Sequence, residues 1–159
     1  MTARVRDRWV NSRTSPRRRC VSRSTPRYPK GMVFAFAVPA SAQAPARVRS
    51  ELRERLHETL DPSTASDLEL LLSEVVTNAV RYGGVGGAAT IGVQIQIDSD
   101  MVSAQITDSG HGFVPDEPPR PRIERSPGGF GLYLLDLLST RWGVERNETG
   151  FRVWFRLTR

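Results

Sequence analysis

The sequence predicts an α/β (α+β) two-layer sandwich, a mixed and mostly antiparallel sheet with three helices on one face. Three observations carry this. Residues 90–97 and 101–107 alternate apolar and polar around Asp98-Ser99-Asp100, and residues 142–146 and 151–157 flank Asn147-Glu148-Thr149-Gly150, so both pairs read as hairpins. Residues 45–60 and 68–84 repeat apolar side chains at helical spacing, and a leucine-rich run at 132–140 follows a cluster of glycines. The length of 159 residues fits one such domain plus a tail.

The tail is residues 1–31, and the domain is 32–159. Hydrophobic residues make up 38% of the chain, low enough that part of it is expected to lack a core. Of 23 Lys and Arg and 17 acidic residues, ten and one fall in 1–30, leaving 13 and 16 in 31–159. The arm is therefore +9 and the remainder −3, and the basicity says nothing about the folded part. Arg, Ser, Thr and Pro dominate the arm without periodicity, which predicts disorder. It reads as a solvated tail or as a stretch ahead of a start at Met32. Its clustered arginines also suit a nucleic-acid contact, the one place where the sequence leaves room for such a partner.

Cys20 is the single cysteine, so no disulfide framework forms within the chain, which suits a reducing cytoplasm. No apolar run reaches the ~20 residues of a membrane span. The run after Lys30, GMVFAFAVPASAQA, resembles a signal-peptide core and cleavage site. The long basic stretch ahead of it and Pro39 inside it argue against export. The same run serves as a first strand, 33–38.

Pro45 then suits the first turn of a helix that reaches about residue 60, with Val48, Leu52, Leu56 and Leu60 on one face. Asp61-Pro62 breaks it, and Ser66 with Glu69 gives a capping-box pattern for the second helix. In that helix Leu68, Leu71, Leu72, Val75, Val76, Ala79 and Val80 form a buried stripe, and Gly83, Gly84, Gly86 and Gly87 end it. Glu74 and Asn78 lie one turn apart at the border of that stripe. Such a pair forms either a solvated flank or a polar face toward a ligand seated against the core.

The first hairpin delivers the chain to Asp108-Ser109-Gly110-His111-Gly112. Residues 114–128 follow as a loop with five prolines, a length that in a compact domain suggests a lid. Gly128-Gly129-Phe130-Gly131 opens the third helix, and successive glycines at a helix N-terminus let backbone N–H groups approach an anion. Each of these motifs alone is soft. Their order and spacing, over about 65 residues, are what is informative.

That ordered set resembles the GHKL ATPase superfamily, whose nucleotide site is the Bergerat ATP-binding fold, and within it the anti-sigma-factor serine/threonine kinases and related small regulators. Glu74 and Asn78 in SEVVTNAVRYG match the N box, Asp108 to Gly112 the G1 box, and Gly129, Gly131 and Leu132 the G2 box. The resemblance spans roughly residues 33–157. It implies ATP and Mg²⁺ as cofactors. It implies that Asn78 holds the metal through its amide oxygen, that Asp108 accepts from the adenine amino group beside Gly110 and Gly112, and that Gly129 and Gly131, with Leu132 behind them, meet the phosphates. It further implies Glu74 as general base and Arg47 as an arginine near the γ-phosphate, with Arg49 able to take that role.

Tyr82 stands where many relatives have His, and neither it nor His111 removes an implied ligand. These residues carry no dimerisation helix with a phosphorylatable His, so a sensor histidine kinase is not expected. The resemblance implies a cytoplasmic kinase with a sigma factor and an antagonist protein as partners, often as a homodimer. The alternative is a non-catalytic, nucleotide-gated binding module.

Overall fold

The computed structural model describes residues 8–12, 31–56, 58–83, 89–110, 131–147 and 150–159; for 8–12 and 147 it describes the backbone only. The elements run β1 (Arg8–Ser12), β2 (Met32–Pro39), α1 (Ala44–Leu56), α2 (Pro62–Tyr82), β3 (Thr90–Ile97), β4 (Met101–Asp108), α3 (Gly131–Leu138), β5 (Arg141–Asn147) and β6 (Gly150–Thr158). The strands form one sheet in the order β1-β5-β6-β4-β3-β2. All its pairings are antiparallel, so the expected mixed character is absent among the described strands. The two-layer sandwich is as expected.

Alternation decides which face is covered. Ile91, Val93, Ile95 and Ile97 on β3, Val102, Ala104 and Ile106 on β4, and Phe151, Val153, Phe155 and Leu157 on β6 are all buried. The three helices pack on that side, α2 over β4 and β6, α1 beside β2, and α3 against β5. Leu68, Leu71, Leu72, Val75, Val76 and Ala79 supply the stripe of α2, while Val80 is only partly buried at its edge. α1 contributes Val48, Leu52 and Leu56, and Leu60 joins the core from the following turn. The opposite face carries the mostly polar outward residues of β3, β4 and β6, and the exposed Val33, Ala35 and Ala37 of β2.

Two expectations need correction. The second helix starts at Pro62, with Asp61 as its cap, so Asp61-Pro62 opens α2 as well as ending α1. Asp61 Oδ1 accepts from Thr64 N at 3.0 Å and from Ser63 Oγ at 2.7 Å. Ser66 therefore lies inside the helix. Glu69 accepts from the Arg53 guanidinium at 2.6 and 3.2 Å, which ties α2 to α1 rather than capping anything. The second correction concerns the arm. Residues 8–12 form a strand on the open edge of β5, with Arg8 opposite Glu145 and Ser12 opposite Arg141. A five-residue strand shows almost no period, and an edge strand gets its order from the neighbour's free backbone groups. No helix among the described residues is long and apolar enough to cross a membrane.

Candidate functional site

The site is built where α2, α3 and β4 converge. α2 brings Glu74 and Asn78 to the border of its buried stripe, both half-buried. α3 begins at Gly131 directly against them. A Cβ on Gly131 would fall 2.7 Å from Asn78 Nδ2 and 3.5 Å from Glu74 Oε2. The first backbone groups of α3 can approach the carboxamide and the carboxylate because residue 131 has no side chain. Leu132, one residue on, is partly buried against the core.

One turn along α2, Asp108 closes the other end. It is the last residue of β4, and its ladder partner on β6 is Phe151. Gly110 N donates to its Oδ1 at 2.7 Å. Burial pushes the Asp108 carboxyl above its ordinary value, and that single backbone donor only partly opposes the rise. A half-buried carboxylate with little compensation is primed to accept a hydrogen bond from a ligand. Glycines crowd it: a Cβ on Gly110 would lie 2.5 Å from Gly83 Cα and 2.7 Å from Asp108 Oδ1. Gly150, at φ 151°, passes so close to the Asp108 carbonyl oxygen that no side chain fits there.

Val75, Ala79, Tyr82, Ile106, Phe151 and Val153 complete an apolar wall around Asn78 and Asp108. The cavity they leave is about 10 Å³, room for roughly one water. Tyr82 is 61% exposed at the rim.

The structure thus brings Glu74, Asn78, Gly131 and Leu132 to one junction and Asp108 and Gly110 to its neighbour. Gly112, Gly129 and residues 113–128, where a lid is expected, lie outside the described residues. Arg47 is exposed on α1, whereas Arg49 reaches α2 and donates to Ser73 Oγ at 3.4 Å, one residue before Glu74. Gly83 and Phe151 were not among the expected site residues. Gly83 reads in sequence only as a helix stop, and Phe151 reaches the site through the β4–β6 pairing, which no local signal reveals. Among the described residues no group of three His, Cys, Asp or Glu forms a metal cage.

Comparison with known proteins fits this arrangement. The family model for the histidine kinase-like ATPase domain matches residues 38–157. A structure of the RsbU and RsbW domains of Rv1364c from Mycobacterium tuberculosis shares the fold with a TM-score of 0.59 at 21% identity, over 80% of this chain and 33% of that one. The histidine kinase domain of the Erythrobacter litoralis EL346 blue-light activated histidine kinase aligns with a TM-score of 0.48 at 21% identity, over 76% of this chain and 61% of that one. This chain therefore spans one third of the first of those structures and under two thirds of the second. No curated protein sequence matches it. With three quarters of its length matched by one family model, and the matched stretch containing the whole junction of α2, α3 and β4, the chain belongs to the histidine kinase-like ATPase domain family of the GHKL superfamily.

Proposed function

We propose that this chain is an ATP-binding regulator of the anti-sigma-factor serine/threonine kinase type, which binds a sigma factor and phosphorylates an antagonist protein. The observation that carries the reading is the close approach of Gly131 to Asn78 and Glu74 beside the half-buried Asp108. It sets a helix N-terminus, a carboxamide and a carboxylate at one end of a cleft and an acceptor for a base at the other. Asp108 takes the adenine amino group. Gly131, with Gly129 ahead of it, admits the phosphates.

The donor set also suits Mg²⁺, which keeps several waters and needs only one or two protein oxygens alongside phosphate. Asn78 Oδ1 is the ligand this chain offers, and the ion would neutralise phosphate charge. Glu74 is the base that accepts the proton of the attacking serine or threonine hydroxyl. Arg47 serves the γ-phosphate end, with Arg49, already held beside Ser73, as the other arginine able to reach it. The fold shared with a chain that contains an RsbW domain supports the assignment to this type of regulator.

Calorimetry with ATP and Mg²⁺, followed by transfer of labelled phosphate to candidate antagonists, tests it. The wild type is expected to bind and to transfer. Glu74→Ala is expected to bind ATP with similar affinity and to lose transfer by at least ~10²-fold, the scale of a removed general base. Absence of ATP binding in the wild type would sink the whole reading. Binding without transfer to any antagonist would reduce it to a nucleotide-gated module.

A further inference from the structure

The sheet face turned away from the helices carries its own pattern, independent of the nucleotide reading. The strand registers arrange its side chains in rows. One row runs Gln96, Ser103, Arg156, Arg141 across β3, β4, β6 and β5. The next runs Gln94, Gln105, Trp154, Gly143, and the third Gly92, Thr107, Arg152, Glu145. In the third row the charge is settled: Arg152 Nη2 pairs with Glu145 Oε2 at 3.1 Å, and its Nη1 donates to Gln105 Oε1 at 3.0 Å.

The first row is unsettled. Arg141 and Arg156 are direct cross-strand partners, both exposed, and neither has an acidic partner among the described residues. Like charges placed opposite each other across two strands repel. Beside them the Arg156 guanidinium stands 5.9 Å from the centroid of the Trp154 ring. Trp154 Nε1 is buried with no hydrogen-bond acceptor. A shallow depression of about 210 Å³ opens among Ser103, Arg141, Trp154 and Arg156, lined also by the Glu145–Arg152 pair, and is far larger than the cavity at Asp108.

We propose that this end of the outer face is a docking site for an acidic peptide segment of a protein partner. Two carboxylates of the segment pair with Arg141 and Arg156, whose planar guanidinium forks match carboxylate geometry. They remove the repulsion between the two arginines. Ser103 Oγ offers a further donor in the same row, and Trp154 Nε1, beside Arg156, is a donor still without an acceptor among the described residues.

The charge is too local for a nucleic-acid strand, which needs cations along its whole track and bases stacked on aromatic rings. Here the third arginine is paired with Glu145, the neighbouring outward positions of β3 and β4 are Gln, Ser, Thr and Gly, those of β2 are the apolar Val33, Ala35 and Ala37, and residues 31–159 carry a net −3.

The full chain tests this, because the readout can be made local. It has three tryptophans, so its indole N–H signals in a ¹⁵N spectrum are few, and Trp154→Phe assigns the relevant one. Titration with an end-blocked hexaglutamate peptide is expected to move the Trp154 signal, and the double variant Arg141→Ala/Arg156→Ala to weaken that response about tenfold or more. Peptide held by the basic arm would not depend on these two residues. The double variant removes a like-charge pair, so its melting temperature is expected to be no lower than the wild type's. An unmoved Trp154 signal, or equal affinity in the double variant, would overturn the proposal. An oligothymidylate of equal charge that shifts Trp154 more strongly than the peptide would overturn it in favour of a nucleic acid.

Discussion

Asp108 shows how one side chain couples stability to binding. Burial raises its pKa above the ordinary 3.8, so the folded state holds the proton more tightly than the unfolded chain does. The stability this lends is full below the unfolded value and lost as pH rises through the folded one. Near neutral pH the ionised carboxylate therefore opposes folding. Asp108→Asn removes that charge and keeps an oxygen for the Gly110 N–H, so the variant is expected to melt higher than the wild type at pH ~7. If Asp108 accepts from the adenine as proposed, the same change exchanges a charged acceptor for a neutral one, and ATP affinity is expected to fall roughly tenfold or more. Calorimetry and thermal melts on the one variant check both signs; unchanged ATP affinity would remove Asp108 from the base end of the cleft. The type of this residue was legible in sequence, as an Asp between a strand and glycines. Its half-burial was not, because Gly150 and Phe151 come to it from 42 and 43 residues away through the sheet. Gly131 behaves likewise: the sequence shows a glycine before a helix, and only the packing of α3 on α2 shows that Asn78 and Glu74 are what it makes room for.

At the scale of elements, periodicity located the strands and helices, and the ends went wrong where two chemical signals competed. Asp61-Pro62 and Ser66 with Glu69 both read as helix starts. Asp61 wins because Pro62 takes the first helical position, where no N–H is required, and Asp61 Oδ1 collects Thr64 N and Ser63 Oγ. Partial burial pushes the Asp61 carboxyl up, but the hydrogen bonds from Thr64 and Ser63 outweigh it and hold the pKa at about 2. A folded pKa below the unfolded one contributes stability above the ordinary 3.8, and that contribution is lost as pH falls toward 2. Asp61→Ala is expected to destabilise by about 1 kcal/mol near neutral pH. The gap between variant and wild type in chemical-denaturation midpoints should narrow on acidification below pH ~4. A gap that stays constant into that range would show that the carboxylate's charge does not make the cap. Asp136 does comparable work for α3, accepting from Trp142 Nε1 at 3.4 Å in the core and so fixing the helix that carries Gly131 against β5. Neither residue is marked for this in the sequence, since a buried Asp and a Trp six positions apart become partners only once β5 turns back under α3.

For the whole molecule, the strand order β5-β6-β4-β3-β2 puts β4 and β6 side by side although α3 and β5 lie between them in the chain. Both hairpins were legible because each is closed by a short turn, whereas the β4–β6 seam that joins them has no turn to announce it. The arm was read from composition as unstructured, and composition cannot detect five residues that complete an edge. β1 pairs along Arg141–Glu145 of β5 and so shields an edge that would otherwise offer free N–H and C=O groups to other chains. The walls of the cleft come from α2, β4 and β6, and β5 stands between β6 and β1. Removing residues 1–12 is therefore expected to leave ATP affinity within about twofold, since a change below 0.5 kcal/mol is typical away from a site. It should lower the melting temperature by about 3 °C, corresponding to a loss on the order of 1 kcal/mol at this size. The bared edge of β5 should also raise concentration-dependent self-association in sedimentation or light scattering. A truncated chain that melts and sediments like the full one would mean β1 adds nothing to the sheet. One that loses ATP binding would mean the arm takes part in the cleft, and the division between a basic arm and an ATPase domain at residue 31 would have to be redrawn.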